Sequence, residues 1–70
     1  MNYIKVTLEQ YKLFLNRIPD NYIYVPNMLA ERTDIRNKEC FDEIIGTRFI
    51  GYYENSDSYQ VREDFINLCE

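Results

Sequence analysis

The sequence predicts an α+β fold: a small antiparallel sheet of three to four strands packed against one longer N-terminal helix and two short helices, in a single compact domain, residues 1–70. Three observations predict it. Thr7-Leu8-Glu9-Gln10 has the form of a capping box and leads into an apolar stripe. Tyr22–Val25, Arg48–Tyr53 and Ser58–Val61 carry the alternation and the β-branched and aromatic residues of strands. A chain with 46% hydrophobic and 16% aromatic residues is also too apolar to stay disordered.

Taken in order, Tyr3-Ile4-Lys5-Val6 alternates as a strand does, and Thr7 with Gln10 starts a helix. Leu8, Tyr11, Leu15 and Ile18, with Phe14 on the same side, form its apolar face, and Pro19 ends it. Asp20-Asn21 is a turn pair, after which Tyr22–Val25 reads as a strand stopped by Pro26. Residues 27–37 show no clean period, and a short helical turn and an irregular loop both fit them. Over Lys38–Ile45, Cys40, Phe41, Ile44 and Ile45 fall on one side of a helix, with Gly46 where a left-handed C-terminal residue belongs, so a short second helix is expected. Arg48–Tyr53 alternates again, Glu54-Asn55-Ser56-Asp57 supplies turn chemistry, and Ser58–Val61 completes a β-hairpin. The competing reading starts a helix at Asp57. Phe65, Leu68 and Cys69 share a helical face, so the chain closes on a short helix.

Seventy residues lie near the size at which one core leaves only ~3–5 kcal/mol of net stability. Disulfides, metals and partner subunits are the usual supplements. Cys40 and Cys69 follow no export-type apolar run after Met1, which points to a reducing cytoplasm and to both thiols as small buried apolar groups. With no histidine and no Cys-x-x-Cys pair, no zinc site of recognised spacing can be assembled, and no cofactor is expected. No apolar run reaches the ~20 residues that span a bilayer, so no membrane association is expected.

The same inventory argues against an enzyme. Histidine, the commonest general base, is missing, and the adjacent acids Asp42-Glu43 and Glu63-Asp64 point in different directions on a helix. Gly46 and Gly51 are the only glycines, and neither sits in a phosphate-cradling pattern. Arg48-Phe49-Ile50-Gly51-Tyr52-Tyr53 superficially resembles a base-stacking strand. A chain with 8 Lys and Arg against 12 Asp and Glu is nevertheless a poor ligand for a phosphate backbone, so no direct nucleic-acid binding is expected.

The charge is unevenly placed. Residues 1–36 hold Lys5, Lys12, Arg17, Arg32 and Arg36 against Glu9, Asp20, Glu31 and Asp34, a balance of +1. Residues 37–70 hold Lys38, Arg48 and Arg62 against Glu39, Asp42, Glu43, Glu54, Asp57, Glu63, Asp64 and Glu70, a balance of −5. One hairpin face at most can be core, so some of Tyr52, Tyr53 and Tyr59 are expected at the surface, where tyrosine suits protein contact. The expected contact set is therefore Glu39, Asp42, Glu43, Tyr52, Tyr53, Glu54, Asp57, Tyr59, Glu63 and Asp64. Such a face suits a partner protein with a basic surface, for instance a nucleic-acid-handling enzyme. By analogy of size and charge, the expectation is an inhibitor of the phage or mobile-element counter-defence type, anti-CRISPR or DNA-mimic-like, acting in the host cytoplasm. The alternatives are acids that serve only solubility, tyrosines that cap a thin core, and a structural subunit or homodimer without an inhibitory role.

Overall fold

The chain runs β1 (Tyr3–Val6), α1 (Leu8–Arg17), β2 (Tyr22–Asn27), β3 (Arg32–Asn37), β4 (Ile44–Phe49), β5 (Ser58–Arg62) and a closing 3₁₀ helix (Glu63–Cys69). This is a computed structural model, and it describes residues 2–51, 53 and 56–70. The five strands form one antiparallel sheet in the order β1-β5-β4-β3-β2. The last four make a meander, and β1 joins its far end by pairing with β5, Ile4 opposite Val61. Consecutive β1 and β2 therefore lie at opposite edges, four strand spacings or about 19 Å apart. α1, about 15 Å long, is the connector that crosses this distance.

α1 starts as its capping box dictates. Gln10 N donates to Thr7 Oγ1 at 3.2 Å, and Thr7 N donates back to Gln10 Oε1 at 2.9 Å. Thr7→Ala is expected to lower stability by about 1 kcal/mol in urea unfolding, a Tm shift of about 4–8 °C at this size. An unchanged midpoint would mean that the box holds nothing. Tyr11 and Phe14 are buried on the sheet, Leu15 and Ile18 pack beside them, and Leu8 stays substantially exposed.

Cross-strand partners share a face. Gly46 pairs with Val61 on one side and Ile35 on the other, and these mark the covered face. Gly46 is required there because a Cβ would stand 2.7 Å from Phe14 Cε2. The core comprises Val6, Tyr11, Phe14, Ile35, Ile45, Val61 and Cys69, with Tyr59 and Phe65 packed against it. The alternate positions Arg32, Asp34, Arg36, Thr47, Gln60 and Arg62 project to the second face.

Several expectations are corrected. Among the described residues the sheet has five strands rather than three to four, and one short helix rather than two accompanies α1. Residues 27–37 are neither a helical turn nor a loop. They hold the end of β2, a tight turn in which Asn27 Oδ1 accepts from Ala30 N at 3.1 Å, and β3. Glu31 closes that turn in the left-handed region, φ 51°. Pro26 does not stop β2, which continues to Asn27, because β2 is an edge strand and its outer side needs no ladder donor.

Lys38–Ile45 is not a helix either. Glu43 N donates to Cys40 O at 2.9 Å and Asn37 N to Glu43 O at 3.1 Å, closing a loop from which Ile44 enters β4. The register moves between Ile35, opposite Gly46, and Arg36, opposite Ile44, so Ile45 is the extra residue of a bulge and is fully buried. The predicted hairpin exists, but its first strand is Ile44–Phe49 and Phe49 pairs with Ser58. Asp57 therefore starts no helix. Cys69 is buried as expected, whereas Cys40 is exposed on the β3–β4 loop.

Candidate interaction surface

β2 and β4 begin, and β3 and β5 end, at the same end of the sheet. Glu43 enters this pole from the β3–β4 loop and accepts three hydrogen bonds. Asn37 Nδ2 donates to Oε2 at 2.9 Å, while Arg62 and the Tyr22 hydroxyl donate to Oε1 at 3.1 and 3.4 Å. Arg62 also donates to both Asp64 oxygens, from Nε at 2.7 Å and from an outer nitrogen at 2.9 Å. Its guanidinium lies 5.2 Å from the Phe65 ring centroid, and Phe65 in turn meets Tyr22 edge-on at 5.8 Å. Arg62 is 9% exposed, so the two carboxylates are held by a nearly buried cation. Asn37 extends the network, its Oδ1 accepting from Glu39 N at 2.9 Å.

Glu43 and Asp64 belong to this network, and Glu39, Asp42 and Glu63 lie beside its members along the chain, so five expected residues fall at one pole. Glu43 and Asp64 spend their charge on Arg62, whereas Glu39, Asp42 and Glu63 are exposed and form no salt bridge among the described residues. Asp20, on the α1–β2 turn, is exposed at the same pole, where Lys38 N donates to Asn21 O at 2.8 Å. Sequence reasoning missed Asp20 because it lies in the electrically balanced half of the chain.

The remaining expected residues do not join this pole. Asp57 sits at the opposite end, receiving Arg48 Nε at 2.9 Å, an outer Arg48 nitrogen at 2.6 Å and Gly51 N at 3.0 Å. Its work there is to hold the β4–β5 loop. Tyr53 is at that end and 82% exposed. Tyr59 faces α1 instead of a partner, its ring 5.1 Å from that of Tyr11, and burial raises the Tyr11 phenol above its ordinary range. Tyr52 and Glu54 lie outside the described residues.

The carboxylate environments set an acid limit. Asn37, then Arg62, hold Glu43 below the usual carboxylate range; the Gly51 amide, then Arg48, do so for Asp57; Arg62 does so for Asp64. A depressed folded pKa contributes stability that is complete above the unfolded value and lost as the pH falls through the folded one. With unfolded values near about 4, the urea midpoint is expected to hold flat from pH 7 to about 5 and to fall steadily below that. A midpoint that rose on acidification would contradict these pairings.

Among the described residues, no group of three or more Cys, Asp or Glu side chains is arranged to hold a metal ion. In comparisons with known proteins, the chain matches no family, no curated protein and no solved structure. No described helix is long and apolar enough to cross a membrane.

Proposed function

We propose that this protein is a small binding module that works by occupancy, setting its acidic pole against a basic, nucleic-acid-binding surface of a partner protein. The observation that carries the reading is the pole itself. Glu39, Asp42 and Glu63 stand exposed around a rigid Glu43–Arg62–Asp64 network, so their charges are displayed by a scaffold rather than by a flexible tail. Carboxylates carried in this way by a held backbone stand in for phosphates in a groove that otherwise holds DNA or RNA. An inhibitor of the phage or mobile-element counter-defence class, anti-CRISPR or DNA-mimic-like, acts by this chemistry in the host cytoplasm.

The test is capture from source-cell extract with wild-type protein and with Asp42→Lys/Glu63→Lys, two exposed positions whose side chains bear on no described network. The reading expects a basic, nucleic-acid-binding protein retained by the wild type, eluted by moderate salt and absent from the charge-reversed bait. Equal retention of the same protein by both baits would remove the acidic pole from the account. The second reading, a homodimer or structural subunit, is supported by the two open sheet edges, β1 and β2. Light scattering over a concentration series separates it, a stable dimer favouring that reading.

A further inference from the structure

The second face of the sheet carries a feature independent of the acidic pole. Asp34 is only 1% exposed on this face, between the guanidinium groups of its own strand. Arg32 Nε lies 3.2 Å from Oδ1, an outer nitrogen of Arg36 3.1 Å from Oδ2, and the Thr47 hydroxyl donates to Oδ1 at 3.2 Å. One carboxylate thus faces two guanidinium groups, leaving one positive charge over. Arg36 Nε is buried and meets no acceptor among the described residues.

Apolar side chains close both ends of this strip. At one end, Met28 and Leu29 in the β2–β3 turn are 82% and 101% exposed. At the other, Phe41 is 51% exposed and fixed by Arg36, which donates to its carbonyl at 2.6 Å and lies 5.5 Å from its ring centroid. Between them is a cleft of about 460 Å³, walled by Val25 and floored by Asp34 and Arg36. β2, which forms its outer wall, is an edge strand.

We infer that this cleft docks a short extended peptide with two apolar side chains four residues apart and a carboxylate midway between them. The length of the strip sets the spacing. Arg32 to Arg36 is four strand steps, about 13 Å, the same distance that separates side chains i and i+4 on one face of an extended peptide. Residue i+2 then stands over the middle of the strip, where Arg32 and Arg36 converge on the buried Asp34 and together carry one positive charge more than it neutralises, and the apolar pair meets Met28 and Leu29 at one end and Phe41 at the other. Excess charge and apolar ends together choose an acidic–apolar peptide over a basic one.

The experiment is a ¹⁵N–¹H shift titration of the full chain with the blocked pentapeptide Leu-Ser-Glu-Ser-Leu and its Leu-Ser-Lys-Ser-Leu counterpart. The expected result is shifts centred on Leu29, Arg36 and Phe41, with the Glu peptide bound at least about tenfold tighter than the Lys peptide. Leu29→Asp, at a fully exposed position that leaves the fold intact, is expected to weaken binding about fivefold or more. The Glu63→Lys protein, altered only on the closing 3₁₀ helix away from the cleft lining, is expected to keep the peptide site, so this inference and the acidic-pole reading fail separately. Equal binding of the two peptides, shifts centred on β1, no shifts at all, or self-association through Met28 and Leu29 would each overturn it.

Discussion

Replacing Phe14 with alanine is expected to leave most of the chain unfolded at 25 °C, seen as lost dispersion in the ¹⁵N–¹H spectrum and lost secondary structure by circular dichroism. Phe14 is fully buried and sits over Gly46, so close that a methyl group there would stand 2.7 Å from the ring. Truncating a buried phenylalanine costs about 3–5 kcal/mol, as much as a domain of this size has to lose. Because the ring and the glycine are matched in size, Gly46→Ala is also expected to destabilise, and by less when Phe14 is already leucine. Equal effects of Gly46→Ala in the two backgrounds would mean that the ring and the strand do not meet.

Asp34→Ala is expected to have the second largest effect, toward the lower end of the ~3–5 kcal/mol seen when one partner of a buried pair is removed. The loss strands Arg32, Arg36 and the Thr47 hydroxyl together on the second face. The loss is held down because Arg32 is 32% exposed at its side chain and can turn partly to water, whereas Arg36, 18% exposed and tied to Phe41 O, cannot do so freely. Replacing Arg32, Asp34 and Arg36 together by Met, Leu and Met is expected to cost much less than Asp34→Ala alone, since no charge is then left without its partner. Urea unfolding of both variants measures the contrast; equal losses would show that the second face is not held by its charges.

These two sites also mark where sequence reasoning succeeds and where it stops. α1 was legible because its signals are local: Thr7 and Gln10 are three residues apart, and Tyr11 and Phe14 fall on one turn-spaced stripe. β3 was not, because Arg-Thr-Asp-Ile-Arg-Asn has one apolar residue, and its strand character comes from pairing with β2 and β4. Ile44 and Ile45 follow Cys40 and Phe41 at helical spacing, and what overrides that spacing is distant in sequence, the bulge opposite Arg36 and the contact of Gly46 with Phe14. The same division runs through the site. The acidic bias of residues 37–70 is visible in composition, and Glu43 and Asp64 do meet on Arg62, with Glu39, Asp42 and Glu63 beside them in sequence. That Arg62 would draw in Glu43 and Asp64, that Arg48 would claim Asp57 at the far end, and that Tyr59 would turn toward Tyr11 are consequences of strand register. A single acidic tyrosine face was therefore expected where the structure separates the exposed acids from Tyr53 and Tyr59.

The most direct measurement is displacement of a labelled oligonucleotide from the partner recovered by capture, followed by fluorescence anisotropy at two salt concentrations. Wild-type protein is expected to release the oligonucleotide, release to weaken steeply with salt, and Asp42→Lys/Glu63→Lys to need at least about ten times more protein for the same release. Nucleic acid that stays bound at saturating wild-type protein, or a charge-reversed variant that competes equally well, would contradict the proposed function.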